Sequence, residues 1–204
     1  MFTGIVQALV NVAEVEDRPG LKSFALELPL ETVDNLKIGA SVAIDGVCAT
    51  VVKIEDQKVW FDAMEETLQR TTIGQIDIGS QVNIERSARI GDEIGGHLMS
   101  GHVIGMTEIA GIDEPDNNRV VTFKVPIDWM RYILNKGFIG LDGCSLTIVD
   151  PDTSEGTFKV WLIPETLRAT TFGFKQIGDQ VNVELDSRTQ TIVNTVEEIM
   201  KSKI

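Results

Sequence analysis

The sequence predicts an all-β protein: two tandem, homologous antiparallel barrels with short helical turns and a C-terminal α-helix. Three observations carry this. First, the chain repeats itself: residues 1–52 lie on 98–149 at an offset of 97, and 66–85 lie on 165–184 at an offset of 99. Second, each copy is rich in short segments in which apolar and polar residues alternate, the period of a strand with one buried face. Third, these segments are separated by polar or Gly- and Pro-containing turns, with little helical periodicity. Many short strands in a small unit favour closure into a barrel, which leaves no exposed edge.

Each half shows the same order of elements. A long alternating segment (2–16; 99–113) is followed by a second strand that ends at proline (21–28; 118–125). Phe24, Leu26 and Leu28 alternate there with Ala25 and Glu27. Pro29 and Pro126 then open a short helical turn, where a missing N–H costs nothing. A third long strand follows (40–55; 137–150), then Lys58-Val59-Trp60-Phe61, echoed by Lys159-Val160-Trp161-Leu162. The last strand runs from Gln81 to Glu85, echoed by Gln180 to Glu184. Residues 87–97, with Gly91, Gly95 and Gly96, join the halves. From Ser187 onward, Ile192, Val193, Val196, Ile199 and Met200 recur at helical spacing, and Lys201 and Lys203 close the segment as suits a helix C-terminus. A helix packed on its own barrel and an oligomer contact both fit that stripe. Its lack of a counterpart in the first half favours the contact. The expected divisions are therefore 1–97, 98–186 and 187–204.

Composition narrows the function. With 204 residues and two copies, each unit has about 90 residues, enough for a small barrel with its own core. A net charge of −13 argues against nucleic acid, whose backbone calls for clustered Lys and Arg. The two cysteines, Cys48 and Cys144, make no disulfide framework and stand at non-equivalent repeat positions. Free thiols fit a reducing compartment, and no apolar run approaches membrane-spanning length, so a cytoplasmic protein is expected.

The strand motif Asp45-Gly46-Val47-Cys48-Ala49-Thr50-Val51 recurs as Asp142-Gly143-Cys144-Ser145-Leu146-Thr147-Ile148. Alternation sends Val47, Ala49 and Val51 into one barrel and Cys144, Leu146 and Ile148 into the other. Cys48 and Thr50, with Ser145 and Thr147, then face outward, where they could hydrogen-bond a flat heterocycle on the barrel wall. The only histidines, His97 and His102, fall on opposite faces of an extended chain, a poor arrangement for one metal ion. No metal site, phosphate loop or nucleophile elbow is found. His102 aligns with Ile5 and Lys136 with Gly39, so both are particular to the second half.

The opening Met1-Phe2-Thr3-Gly4-Ile5-Val6, the Gly46–Val51 strand, the joint Gly95-Gly96-His97-Leu98-Met99-Ser100-Gly101-His102, the Gly143–Thr147 strand and the paired Glu-Thr-Leu and Thr-Thr segments at 66–72 and 165–171 together resemble the riboflavin synthase alpha-chain family. The likeness runs from Met1 to about Thr195. It implies a homotrimer held by C-terminal helices, with two lumazine-binding, six-stranded antiparallel Greek-key barrels per chain. It also implies a dismutation of two 6,7-dimethyl-8-ribityllumazine molecules into riboflavin and 5-amino-6-ribitylaminouracil, without a cofactor. The ligand positions it implies are Gly4, Ile5, Val6, Ser41, Cys48, Ala49, Thr50, Asp62, Ala63, Met64, Glu65, Glu66 and Thr67. In the second half they are Gly101, His102, Val103, Lys136, Ser145, Leu146, Thr147, Trp161, Leu162, Ile163, Pro164, Glu165 and Thr166.

The reaction needs a carbanion on one lumazine and an electrophilic ring carbon on the other. The heterocycle delocalises the charge itself, so the protein's main task is to hold two like molecules face to face. His102 is the expected proton acceptor or relay, with Ser145 and Thr147 polarising the ring or positioning water. Cys48 is a nucleophile or a contact, and Lys136 favours an anionic ligand. Ala49 departs from the family, which commonly has Leu there. A core change of that kind is worth about 2–5 kcal/mol unless neighbours fill the space, and such filling is expected. The alternative from another class is a non-catalytic antenna protein that binds lumazine or flavin without turning it over. An oligonucleotide-binding barrel fails on charge and on the absence of a basic, aromatic groove.

Overall fold

A computed structural model describes residues 1–115 and 118–202. The first half contains β1 (Ala8–Arg18), β2 (Leu21–Glu27), helix α1 (Leu30–Val33), β3 (Ser41–Ile44), β4 (Val47–Glu55), β5 (Lys58–Met64), helix α2 (Glu65–Arg70), a 3-10 turn (Thr72–Gln75) and β6 (Gln81–Arg86). All pairings are antiparallel, and the ring β1-β2-β5-β4-β3-β6 closes on itself. Strands β3, β4 and β5 follow one another, and β6 returns beside β3, the Greek-key order.

The second half repeats this with β7 (Gly105–Asp113), β8 (Arg119–Lys124), a 3-10 turn (Ile127–Tyr132), β9 (Phe138–Leu141), β10 (Cys144–Thr147), β11 (Val149–Asp152), β12 (Thr157–Leu162), helix α3 (Pro164–Ala169), a 3-10 turn (Thr171–Gly173) and β13 (Gln180–Leu185). Here the sheet order is β10-β9-β13-β7-β8-β12-β11. Its two ends, β10 and β11, are successive pieces of one strand joined through Ile148, so the circuit matches the first barrel. Each half has its own apolar core, around Phe24, Phe61 and Ile84 in one and Phe123, Phe158 and Val183 in the other.

Three details differ from the sequence-based expectation. The third long strand is a hairpin. Asp45-Gly46 and Asp142-Gly143 adopt positive φ (44° and 78°; 43° and 80°), the two-residue turn that an Asp-Gly pair favours. Residues before Ala8 and before Gly105 are not strand; only an isolated bridge, Phe2 to Met99, lies there. Finally, the Lys-Val-Trp echo is out of register by two residues. Phe24 faces Phe61, whereas Val121 faces Val160, which fixes the offset here at 99 and makes Asp62 the partner of Trp161. A two-residue slip preserves alternation, so period alone could not expose it.

Helix α4 (Ser187–Lys201) is capped by the Asp186 carboxylate, which accepts the Thr189 N–H at 3.0 Å. It leans on the Ile127–Tyr132 turn through Arg131–Glu197 at 3.0 Å and Tyr132 Oη donating to Asn194 Oδ1 at 2.6 Å. Its apolar stripe is not packed on its own barrel: Ile192 is 64% exposed and Met200 60%. Lys203 lies outside the described residues.

The seam between the barrels is made of repeat-equivalent residues that touch each other. Phe2 and Met99 exchange N–H to C=O bonds at 2.8 and 2.9 Å. Gly46 and Gly143 lie back to back; a Cβ on Gly46 would stand 2.6 Å from the Gly143 nitrogen. Equivalent residues can meet only on the twofold axis relating the halves. Around that axis the buried amides cross over. Asn83 donates to the Asp142 carbonyl (2.9 Å) and Thr171 Oγ1 (3.0 Å) and accepts the Thr171 N–H (2.9 Å). Asn182 does the same to the Asp45 carbonyl (2.9 Å), Thr72 Oγ1 (2.8 Å) and the Thr72 N–H (2.8 Å).

The seam's charges are less symmetric. Asp45 and Asp142 are both buried, and each accepts the N–H of its own half's asparagine. Only Asp142 has a cation, Lys175, 2.9 Å away. Burial, reinforced by the nearby Asp142 charge, pushes the Asp45 carboxyl well above the usual carboxylate range. Burial also raises Asp142, against the pull of Lys175.

Asn83→Ala and Asn182→Ala should each cost about 2–4 kcal/mol, because both leave a buried N–H and C=O across the seam unpaired; chemical denaturation measures this. Asp45→Asn should be far milder than Asp142→Asn. An amide mimics the neutral carboxyl that burial favours at Asp45, whereas removing the Asp142 charge strands Lys175.

Candidate active site

Each barrel presents a cleft, and each cleft is finished by the other half. Glu85 holds the opening segment by accepting the Thr3 N–H (2.6 Å), Thr3 Oγ1 (2.7 Å) and the Gly4 N–H (3.0 Å). Glu184 holds the equivalent segment through the Ser100 N–H (2.6 Å), Ser100 Oγ (2.8 Å) and the Gly101 N–H (2.9 Å). These segments cross the seam. The Gly4 carbonyl accepts the Ser145 N–H at 2.8 Å, and the Gly101 carbonyl accepts the Cys48 N–H at 2.9 Å. Glycine is required at both crossings. Gly4 and Gly101 have φ of 75° and 80°, and a Cβ would fall 2.5 Å from that of Ser145 or 2.6 Å from that of Cys48.

The expected site residues therefore sort into two sets that mix the halves. Cys48, Glu66 and Thr67 share a cleft with Gly101, His102 and Val103, which continues along Ala49, Thr50 and Asp62 to Glu65. Ser145, Leu146, Glu165 and Thr166 share the other with Gly4, Ile5 and Val6. Asp62 accepts a hydrogen bond from Ser23 Oγ at 2.6 Å. Within one chain His102, exposed, stands with Cys48 rather than with Ser145 and Thr147, so the expected grouping of those three is not formed inside the protomer.

The remaining expected positions lie beside the clefts. Thr147 is exposed opposite Phe138, and Ser41 pairs with Thr50 at the strand edge. Trp161 and Ile163 are exposed on the rim, with buried Leu162 between them and Pro164 starting α3. Lys136 is exposed in the left-handed turn before β9 (φ 64°), where its partner position is Gly39 (φ 87°), and it lines neither cleft.

His97 is the functional candidate that sequence reasoning passed over. Its Nδ1 lies 2.6 Å from Ser145 Oγ, and its ring stacks on Phe138 with centroids 5.0 Å apart. Burial lowers its pKa, against an opposing pull from Asp186, which favours the neutral imidazole; in the tautomer with its proton on Nε2, Nδ1 accepts from the Ser145 hydroxyl and is placed to take its proton. The first cleft has no such pair, since Cys48 occupies the position of Ser145. Gly96 was the available signal. A Cβ there would press on the Thr3 carbonyl and on Ser145, so the Gly-Gly-His run marks a close approach. Among the described residues no group of His, Cys, Asp and Glu is arranged to hold a metal. No helix among them is long and apolar enough to cross a membrane.

The lumazine binding domain family matches this chain twice, over residues 3–87 and 100–186. The riboflavin synthase of Escherichia coli (strain K12) is 47% identical over 204 residues, covering 100% of this chain and 95% of the relative. That of Buchnera aphidicola subsp. Schizaphis graminum is 44% identical, covering 100% and 98%. The chain belongs to the riboflavin synthase family. The tandem-barrel fold of that family is also that of LumP complexed with riboflavin, at a TM-score of 0.84 and 24% identity, covering 92% of this chain and 100% of that one. LumP complexed with 6,7-dimethyl-8-(1'-D-ribityl) lumazine gives 0.81 and 24%, covering 90% and 98%.

Within this riboflavin synthase scaffold, His97 gives a pH signature. An unfolded histidine protonates below about pH 6.5, whereas the buried one resists, so the unfolded state binds more protons and stability falls as pH drops through that value. His97→Gln should therefore lose less melting temperature than the parent chain between about pH 7 and pH 5. An identical slope in both would remove the assignment.

Proposed function

We propose that the chain is a riboflavin synthase acting on 6,7-dimethyl-8-ribityllumazine, one molecule donating a four-carbon unit and a second accepting it, with riboflavin and 5-amino-6-ribitylaminouracil as products. The single observation that carries this is a pair of repeat-related clefts, each built from both halves, in a chain of this family. Two equivalent sites suit two copies of one ligand, and both keep their lining. An antenna protein would need only one.

In this reading the two clefts of one chain do not face each other directly, and a homotrimer brings the first barrel of one protomer against the second barrel of its neighbour. The apolar rim supports it: Met64 is 71% exposed, Trp161 52% and Ile5 48%. The unpacked stripe of α4 supplies the contact between protomers. Assembly then delivers His102 to the neighbour's Ser145 and Thr147, the grouping that a single protomer lacks. His97 and Ser145 act on the ligand of the second barrel, Cys48 on that of the first. Holding two substrates in reactive orientation can supply about 7–11 kcal/mol of the barrier, the main contribution a cofactor-free site can make. The two free cysteines fit a cytoplasmic setting.

Incubation with the lumazine should yield riboflavin and the uracil product in equal amounts. A stable coloured complex with no riboflavin formed would instead indicate the antenna. Ile192→Glu with Val196→Glu should shift the chain from trimer to monomer in sedimentation and lower kcat at least a hundredfold. Full activity in a monomer would refute the shared site.

A further inference from the structure

We propose that Glu85 and Glu184 are positioning residues that act crosswise, the glutamate of each barrel setting the wall against which the other barrel's ligand binds. This rests on the proposed function. Neither glutamate lines either cleft. Both are buried, near the ends of β6 and β13, the last strands of their barrels. Each carboxylate accepts two backbone N–H groups and one hydroxyl from a single dipeptide, Thr3-Gly4 or Ser100-Gly101. The residues that follow leave the home barrel. Val6 packs against the core of the second barrel, and Val103 against that of the first.

On the far side, each held segment meets a residue of the opposite cleft. Glu85 fixes Gly4, the Gly4 carbonyl accepts the Ser145 N–H at 2.8 Å, and Ser145 Oγ lies 2.6 Å from His97 Nδ1. Glu184 fixes Gly101, whose carbonyl accepts the Cys48 N–H at 2.9 Å. Its hold extends to His102, because Ser100 Oγ donates to Glu184 and accepts the His102 N–H at 3.1 Å. Glycine at the crossing has no side chain to anchor it, so the carboxylate supplies the anchor. Burial lifts the Glu85 carboxyl above its ordinary value, while the Thr3 and Gly4 donors and the N-terminal ammonium pull it back. In each glutamate Oε2 takes the glycine N–H and Oε1 takes the other two donors. A glutamine of the same length sets an NH2 in place of one oxygen, facing an N–H it cannot accept.

The test follows the methyl resonances of Ala49, which lines the first cleft, and Leu146, which lines the second, as the full chain is titrated. The probe is a ribityllumazine with oxygen in place of the C7 methyl, which cannot form the carbanion and so does not turn over. Glu85→Gln should weaken the binding seen at Leu146 about tenfold and leave that seen at Ala49 within about twofold. Glu184→Gln should do the reverse. A carboxylate that only stabilised its own barrel would instead blunt the methyl response in that barrel. That uncrossed pattern, equal losses at both methyls, or no loss at either would overturn the proposal. If the glutamine variants do not fold, Thr3→Val and Ser100→Ala each remove a hydroxyl bond to the carboxylate and should give the same crossed pattern, about threefold in size. Its absence there would overturn the proposal as well. A parent chain that binds no analogue and forms no riboflavin would overturn the proposed function instead. A parent that forms riboflavin beside uncrossed variants removes only this inference.

Discussion

The architecture depends on the contact between repeat-equivalent backbones at the seam. Phe2 meets Met99 through paired backbone hydrogen bonds, and Gly46 meets Gly143 with no room for a side chain between them. A side chain at either glycine would push the hairpin tips apart and break the crossed amide bonds of Asn83 and Asn182. Those bonds hold the 3-10 turns bearing Thr72 and Thr171. The turns are held from behind as well, by Lys22 on the Ile76 carbonyl (3.0 Å) and Arg119 on the Phe172 carbonyl (2.8 Å). Polar groups this deeply buried are costly unless every partner is present, so the seam fixes one relative orientation of the barrels. That orientation is what lets Gly4 and Gly101 reach across to Ser145 and Cys48.

Much of this was legible in the sequence. The repeat, the alternation around Cys48 and Ser145, and the uncovered stripe on α4 follow from spacing alone, because burial obeys a period of two in strands and 3.6 in helices. What the sequence hid is of two kinds. The Asp45-Gly46 turn was available as a hairpin signal, but the apolar residues on both sides read as one continuous strand. The two-residue slip at Lys58–Phe61 was invisible to period, because it leaves every side chain on its original face; only the offset of 99 in the segment that follows pointed to it. Crossing over was hidden too: nothing in Gly4-Ile5-Val6 says that it completes the far barrel. His97 escaped for a related reason. It has no repeat partner, and its meaning lies in a contact with Ser145, 48 positions away.

Duplication gives two equal sites, yet the proposed reaction assigns the two ligands unequal fates. The structure resolves this by keeping the seam symmetric while letting the cleft walls drift. Asn, Glu, Gly and Thr recur at the seam, where the asparagines bond across it and the glutamates hold the segments that cross it. At the walls Cys48 stands against Ser145, Ala49 against Leu146, Ala63 against Leu162 and Asp62 against Trp161. A change at the axis must satisfy both halves at once, whereas a wall residue answers only to its own ligand.

The same separation accounts for an asymmetry of charge inside the seam. Lys175 neutralises Asp142 and has no counterpart beside Asp45, where Ile76 occupies the equivalent position. Two buried carboxylates near one cation cannot both carry charge cheaply. Burial therefore pushes Asp45 towards its neutral form, while its Oδ1 still accepts the Asn83 N–H at 2.8 Å. The backbone bonds on the two sides remain alike although the charges differ. Geometry at the axis is thus insulated from electrostatics there, and the clefts can diverge in size and chemistry without disturbing the frame that presents them.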